Sequence, residues 1–335
     1  MFRIETDINN IDINSLNQLI ANSPTTNIFQ TKSMYLFWEK IKNHQPFFYS
    51  AIDDKNEILL VISGVIINEG GIKAGLTKRA IIFGGPLISE NPMAIDALSS
   101  VIESINQDLK KKAIYLESRN LVDFSKFQSI FEKNGWNYHK HLNFHVDCRD
   151  IDYMKKRMSK SKMRQINKSL STGAEIIEGQ NLEDIKSFYE ILDNLYKTKV
   201  KTPLPDFEFF KHFYTSEIGK YFLIKYNGKI IGGIMCPILL DKVIYEWYVC
   251  GLDGEIKNIY PSILATWAAM DYASQKGISR FDFMGAGAPD KDYGVREFKS
   301  KFGGEQVEYG RFLKIFKPAL YNLGKTGVKI LKSIK

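Results

Sequence analysis

The chain has 335 residues with a net charge of +8, and 44% of its residues are hydrophobic and 13% aromatic. This length is too great for one ordinary core and this composition excludes a disordered chain, so we expect two folded domains. Neither an apolar leader nor a run of about 18 apolar residues is present, and the three cysteines form no CxxC pair, which favours a cytoplasmic protein.

The first half alternates helical and extended patterns. Helical periodicity covers Ser33–Lys42, and the next two apolar runs, 46–51 and 57–63, flank a polar cluster that is typical of a hairpin turn. A strand at 79–83 leads into two glycines and a proline. The half closes with a helix at 93–109, a strand at 113–117, a short helix at 124–134 and an extended segment at 142–147.

The second half repeats this order of elements. A basic helix predicted over 151–170 precedes a strand at 174–177 and a helix at 182–197. Asn227-Gly228 separates two apolar runs and is a strong signal for a tight hairpin. The remaining predicted elements are strands at 221–226, 229–235, 243–249 and 280–284 and a helix at 260–276.

The repeated order predicts one architecture used twice. We expect an α/β (α+β) fold of two domains, each a mixed, mostly antiparallel sheet flanked by helices. The predicted ranges are 1–150 for the first domain, 151–318 for the second domain, which carries the transfer site, and 319–335 for a basic amphipathic tail.

Positive charge is concentrated in two segments. Residues 154–173 carry seven Lys or Arg and no acid, and the segment 311–335 does the same. Such blocks attract phosphates on RNA, nucleotide sugars or lipid head groups. The tail alternates apolar and basic residues, which suits either peripheral contact with an anionic membrane at its inner face or packing on a domain.

Within the first basic segment, Lys160, Arg164 and Lys168 recur every four residues. A helix places them on one face, where three like charges repel one another unless an anion binds. Lys162 is expected to point elsewhere, into solvent.

A pattern near the C-terminus resembles a known family. It consists of the helix at 265–273, then Phe281-Asp-Phe-Met-Gly285, then the block Phe298-Lys-x-x-Phe-Gly303. This order resembles the FemABX family. The resemblance implies two domains similar to GNAT acetyltransferases and transfer of an aminoacyl group from aminoacyl-tRNA to an amine on a peptidoglycan precursor. Further segments similar to family positions are 27–31, 80–86 and 162–168.

The resemblance implies one catalytic candidate, and the chemistry of nearby residues adds two more. Lys299 matches the family lysine that contacts the donor and stabilises developing negative charge, with Phe298 on the same wall and Lys301 able to share the role. Asp282, near the end of a strand, is the candidate for accepting the proton of the attacking amine, or else it caps the next turn. Arg296 suits bidentate binding of a phosphate or carboxylate on the donor side.

Candidates for acceptor binding come from three regions. One is the basic helix, the second is the end of the helix at 182–197, and the third is formed by tyrosines in the aromatic strand and in the loop after Asp282. The predicted acceptor-binding residues are Lys160, Arg164, Lys168, Tyr196, Lys197, Tyr248 and Tyr293.

The donor is predicted from what the sequence lacks. GNAT enzymes bind the pyrophosphate of coenzyme A with a glycine-rich loop at a helix N-terminus, whereas the segment 250–261 here carries two acids. We therefore predict aminoacyl-tRNA as the donor and a nucleotide- or lipid-linked sugar peptide as the acceptor, with a role in peptidoglycan biosynthesis and cell shape. No cofactor is expected, and no metal, because His139, His141, His145 and Cys148 lack the spacing of a metal site.

Two alternatives remain open at this stage. The segment 199–205 resembles a branch of the family associated with exopolysaccharide systems, so one alternative is a GNAT-type N-acyltransferase that uses acyl-CoA or acyl carrier protein in polysaccharide biosynthesis. The other is a non-catalytic protein that binds RNA or a membrane surface.

Overall fold

The computed structural model describes residues 1–68, 77–291 and 293–333. The chain divides into two compact units. Unit 1 contains residues 1–141 together with the chain from residue 308 onward, and unit 2 contains residues 142–307.

Unit 1 contains a mixed sheet and helices in the described ranges. Its helices are α1 (Ile13–Asn22), α2 (Lys32–Lys40), α3 (Met93–Leu109), α4 (Gln128–Lys133) and α11 (Pro318–Ser333). Its strands are β1 (Phe2–Glu5), β2 (His44–Asp53), β3 (Ile58–Ile67), β4 (Arg79–Gly84), β5 (Leu87–Ile88), β6 (Tyr115–Asn120), β7 (Asn137–His139) and β16 (Arg311–Ile315).

Unit 2 is built in the same way. Its helices are α5 (Ile151–Arg157), α6 (Lys160–Ser171), α7 (Leu182–Leu195), α8 (Phe207–Tyr214), α9 (Pro261–Gln275) and α10 (Gly294–Ser300). Its strands are β8 (Leu142–Asp147), β9 (Glu175–Glu178), β10 (Gly219–Tyr226), β11 (Lys229–Leu239), β12 (Val243–Tyr245), β13 (Tyr248–Gly251), β14 (Arg280–Asp282) and β15 (Glu305–Glu308).

The two sheets share one topology. Their strand orders are β1-β2-β3-β4-β6-β16-β7, with β5 beside β3, and β15-β8-β14-β12-β11-β10-β9, with β13 beside β11. In each sheet a hairpin, β2–β3 or β10–β11, leads to one parallel pair, β4–β6 or β12–β14, among antiparallel neighbours. The predicted repetition of a mixed, mostly antiparallel sheet flanked by helices is therefore confirmed.

The unit boundaries differ from the predicted ranges because of two strands. β8 pairs with β14, so it belongs to unit 2 although the sequence placed it before residue 150. β16 lies between β6 and β7 and belongs to unit 1 although the sequence placed it in the second domain. These pairings join residues far apart in the chain, and strand patterning does not encode partners at such a distance.

The core of unit 2 positions the segments that matter below. α9 is apolar around most of its circumference and packs on β10, β11 and α6, which is why most of its residues are buried. The β10–β11 hairpin turns at Asn227-Gly228, where both residues have positive φ, 48° and 77°, as the sequence predicted.

The predicted basic helix at 151–170 is wrong in one respect: it is two helices. α5 ends at Arg157, and Ser159 in extended conformation caps α6 by accepting a hydrogen bond from the backbone N–H of Lys162. A serine whose side chain can cap a helix competes with helix continuation at this point.

Candidate functional site

Two strands of unit 2 separate and leave a fork. β12 runs parallel to β14 up to the pair Tyr245 and Asp282, but β13, the continuation of β12, pairs with β11 alone. The last link across the gap is the Glu246 backbone N–H, which donates to the Asp282 carbonyl at 2.9 Å. The predicted strand 243–249 is therefore interrupted here. We call Glu246, Asp282 and the segment 283–285 the strand fork.

Lys299, on α10, fills the strand fork. Its side chain is buried, and Nζ lies 2.7 Å from the Phe283 carbonyl oxygen, 2.9 Å from that of Gly285 and 3.0 Å from Glu246 Oε1. An ammonium group has three N–H donors. All three are satisfied by this arrangement, so Lys299 lies inside the unit rather than on its surface.

Glu246 is the counter-charge of Lys299 and is equally buried. Its other oxygen, Oε2, accepts a hydrogen bond of 3.4 Å from Thr266 Oγ1 on α9. Burial raises the pKa of the Glu246 carboxyl, and the Lys299 charge opposes that rise. The fork therefore holds an ion pair with little access to solvent, where charge interactions are stronger than at the surface.

Asp282 organises the backbone of the fork. It is completely buried, and Oδ1 accepts hydrogen bonds of 2.7 Å from Asn143 Nδ2 and from the backbone N–H of Met284. Its Oδ2 lies 3.0 Å from His145 Nε2. Burial works against ionisation of Asp282, but His145, Arg280 and Asn143 together hold its pKa below the ordinary value.

Asn143 completes this arrangement. Its Oδ1 accepts a hydrogen bond of 2.8 Å from the backbone N–H of Gly285, so one amide side chain joins Asp282 to the far end of the segment. Met284 between them has a φ of 55°, which is uncommon for a residue with a side chain. The buried side chains thus hold a strained turn whose carbonyls accept from Lys299.

A second cluster surrounds Phe298. The prediction that Lys162 faces solvent is wrong: only 5% of this residue is exposed. Its Nζ lies 3.9 Å from the centroid of the Phe298 ring and 5.1 Å from that of Phe302. Burial and the nearby Lys301 charge lower the pKa of Lys162 to about 8. The ring faces stabilise this cation in place of a carboxylate.

Arg296 and Lys301, predicted on the donor side, make local contacts. Arg296 donates to the carbonyls of Ala286 and Ala288, with Nε 3.0 Å from the Ala286 oxygen. Lys301 pairs with Glu297 one turn earlier on α10, at 2.6 Å. In this conformation Arg296 holds the loop that follows the fork.

The predicted tyrosines come together. Tyr196 begins a π-helical turn, Tyr196–Val200, at the end of α7, and its ring centroid lies 6.2 Å from that of Tyr248. Burial raises the pKa of Tyr196 to about 12, and the nearby Tyr293 adds to the rise. Tyr293 itself packs on Gly287 in the loop after the fork. Single π-helical turns are frequent at functional sites.

The predicted cations divide into two kinds. Lys160, Arg164 and Lys168 are all exposed along one face of α6, as the four-residue spacing predicts. No carboxylate lies within ion-pair distance of them in the ranges that the structure describes. Lys197 is also exposed but pairs with Asp193, which raises its pKa.

The segment that contains the fork can now be compared with known proteins. Residues 238–328 match the FemAB family model. Aminoacyltransferase FemA from Staphylococcus epidermidis is 29% identical over 96 residues, which is 27% of this chain and 22% of FemA. The chain therefore aligns with about a fifth of this curated relative, and the predicted resemblance to the FemABX family is confirmed.

Solved structures similar to this FemAB-like chain establish its fold. The structure of FemX aligns over 95% of this chain and 99% of the FemX chain, with a TM-score of 0.72 and 13% sequence identity. L-PGS from Bacillus licheniformis covers 91% and 92% with a TM-score of 0.58 at 12% identity. A tandem GNAT protein from the clavulanic acid biosynthesis pathway covers 94% and 99% with a TM-score of 0.59 at 7% identity. The predicted tandem GNAT-like fold is confirmed.

Four residues in or beside the strand fork were not singled out as functional from the sequence: Asn143, Lys162, His145 and Glu246. One signal was available, since Glu246 is a carboxylate within an otherwise apolar and aromatic strand, where burial demands a partner.

None of the helices in the described ranges is long and apolar enough to cross a membrane.

Proposed function

We propose that this chain is an aminoacyltransferase that moves an amino acid from aminoacyl-tRNA to an amine of a peptidoglycan precursor or a related envelope polymer. The match of residues 238–328 to the FemAB family supports acyl transfer, because this segment contains both Lys299 and Glu246. Lys299 is the residue to which we assign the principal role.

The donor assignment depends on one observation at the start of α9. Asp253 Oδ1 lies 3.3 Å from the backbone N–H of Ser262, so a carboxylate of the chain itself occupies this helix N-terminus. The helix start also packs closely on β13, since a Cβ added to Gly251 would lie 2.6 Å from the Ser262 nitrogen. An anion of coenzyme A would meet negative charge here instead of free N–H donors. This arrangement supports a donor other than acyl-CoA.

The proposed reaction needs positioning and charge stabilisation. The amine nitrogen attacks the ester carbonyl carbon of aminoacyl-tRNA, the bond from that carbon to the ribose oxygen breaks, and the proton lost by the amine finishes on that oxygen. Negative charge develops on the carbonyl oxygen, and a preorganised cation in a site of low polarity stabilises it. We assign this role to Lys299, whose ammonium exchanges one of its two carbonyl partners for the ester oxygen while Glu246 holds its charge at the fork.

Further residues around Lys299 have a part in the proposal. Asp282 is proposed as a positioning residue, because its Oδ1 already accepts hydrogen bonds from Asn143 and the Met284 backbone N–H and its Oδ2 lies 3.0 Å from His145 Nε2. Phe298 is proposed to form the donor wall, with the Lys162 ammonium on its face. The exposed face of α6 is proposed to bind the phosphate of the acceptor, and Tyr196, Tyr248 and Tyr293 are proposed to bind its peptide.

The proposal is tested by supplying tRNA charged with a labelled amino acid and an acceptor, a nucleotide-linked muramyl peptide in one arm and a lipid-linked form in the other. Label in the acceptor is the expected result. Titration of the same protein with acetyl-CoA is the matched control, and no heat of binding is expected. Transfer from acyl-CoA would contradict this proposal and support the N-acyltransferase alternative. Tight RNA binding without transfer from any of several charged tRNAs would contradict it and support the non-catalytic alternative.

A further inference from the structure

A cavity of about 400 Å³ lies in unit 2 beside the strand fork. Three arginines line it: Arg149, which follows β8, Arg157 on α5 and Arg280 on β14. His145 lines it as well. The volume lies within the range of small-molecule sites and is far larger than a water site.

Arg280 is a partly buried cation of this cavity. It lies directly opposite Asp147 in the β14–β8 register, but the Asp147 carboxylate is bound by Arg149 through Nε at 2.9 Å and Nη2 at 2.6 Å. The Arg280 Nε is buried and has no hydrogen-bond partner within the described part of the chain. A buried donor without a partner is unfavourable, so this nitrogen indicates a missing acceptor.

Arg157 is held in a fixed orientation. Its Nε donates to the Gly303 carbonyl at 2.9 Å and its Nη1 to Tyr153 Oη at 3.1 Å, with its guanidinium over the Tyr153 ring. Gly303 permits this contact, because any Cβ there would lie 2.6 Å from the Arg157 backbone. The second amino group of the guanidinium makes no hydrogen bond to the residues described.

The residues that line the cavity carry more positive than negative charge. Among the residues that line the cavity, Arg149 and Asp147 cancel as a pair, which leaves Arg157 and Arg280 against the exposed Glu305. The buried Asp282, which Arg280 also influences, is bound by Asn143, the Met284 backbone N–H and His145. Guanidinium groups present parallel N–H donors that match the oxygens of a phosphate. At about 400 Å³, the cavity has room for a phosphate group together with the atoms to which it is bonded.

We propose that this cavity binds a phosphate group of one of the two substrates, with Arg280 and Arg157 as its ligands. The assignment rests on the proposed function, which supplies two sources of that group: the diphosphate of a nucleotide-linked acceptor and the terminal phosphodiesters of tRNA. The cavity also borders the fork, since His145 contacts Asp282.

The test is calorimetric titration of the full chain with three probes: UDP, an RNA minihelix ending in CCA, and inorganic phosphate. We expect UDP or the minihelix to bind, and the one that binds identifies the source. Arg280→Gln is expected to weaken that binding about 10- to 100-fold, the loss typical of charge-assisted hydrogen bonds. Arg157→Lys keeps the charge but removes the parallel N–H donors of the guanidinium, and a smaller loss of affinity is expected.

Arg3→Gln is the matched control, because it removes an exposed arginine of unit 1. It should bind like the wild type. Thermal unfolding of each variant identifies any that fail to fold, and Arg157→Lys then carries the test. Binding only of inorganic phosphate, or equal binding by wild type, Arg280→Gln and Arg157→Lys, overturns the proposal.

Transfer assays on the same variants separate the two proposals. If the wild type transfers from charged tRNA but the cavity variants bind normally, the cavity assignment fails and the proposed function stands. If UDP or RNA binding is lost in Arg280→Gln but no aminoacyl transfer occurs in the wild type, the cavity assignment stands and the proposed function fails.

Discussion

Replacing Lys299 by methionine tests whether the buried ion pair of the strand fork stabilises unit 2. The substitution keeps an unbranched side chain and removes the ammonium that binds Glu246 and the carbonyls of Phe283 and Gly285. Removing one partner of a buried pair leaves the other charge without compensation, at a cost of about 3 to 5 kcal/mol. We expect the lower end, about 3 kcal/mol, because burial already favours protonation of Glu246.

This substitution should also make stability depend on pH. Without Lys299, the pKa of Glu246 in the folded state lies further above its value in the unfolded chain, because burial still raises it and the opposing Lys299 charge is gone. A raised folded pKa contributes stability that is present at low pH and is lost as pH rises through that pKa. The difference in unfolding free energy between wild type and Lys299→Met should therefore grow from about pH 5 to about pH 8.

The control is the double variant Glu246→Gln with Lys299→Met, which removes both charges. Urea denaturation at both pH values should show that it regains at least about half of the stability lost in Lys299→Met and no longer shows most of that variant's pH dependence. If Lys299→Met is as stable as the wild type at the higher pH, the buried pair does not stabilise the fold. The same double variant tests catalysis: a folded protein that still transfers at the wild-type rate would remove Lys299 from the proposed mechanism.

Three further predictions concern other parts of unit 2 and its charge. Gly303→Ala should lower the unfolding free energy by about 2 kcal/mol or more, because φ at Gly303 is +82° and the new Cβ would lie 2.6 Å from the backbone of α5. Gly277→Ala is the control: φ is +69° but the space around this residue is open, so the substitution should cost only about 1 kcal/mol. Lys162→Met should raise the melting temperature at pH 7, and this gain should shrink above pH 8. The pKa of Lys162 in the folded state is lowered to about 8, so the charged lysine destabilises the fold below that pH. This penalty is relieved as the folded state releases the proton at higher pH. No gain at pH 7 would contradict this assignment. Arg164→Glu should weaken binding of a phosphate-bearing substrate at least about 10-fold at low salt, and the effect should be smaller at high salt. Lys110→Glu on unit 1 changes the net charge by the same amount and should not weaken this binding. Equal losses in the two variants would point to net charge alone.

The sequence by itself determined the repeated architecture and the hairpins. Local signals suffice for these features: Asn227-Gly228 needs only the positive φ of its own two residues, and the four-residue spacing of Lys160, Arg164 and Lys168 fixes one helix face. The order of the helix at 265–273, the segment from Phe281 to Gly285 and the block from Phe298 to Gly303 predicted the resemblance that the FemAB match confirmed. These features depend on neighbours in the chain.

Tertiary structure alone decided where charge is buried. Lys162 and Lys299 belong to similar basic stretches, yet one lies on two phenylalanine rings and the other on Glu246 and two carbonyls. His145 and Asp282, separated by most of unit 2, meet because β8 pairs with β14. Long-range strand pairing selects these partners, and burial then sets their ionisation, so neither follows from the local pattern of the chain.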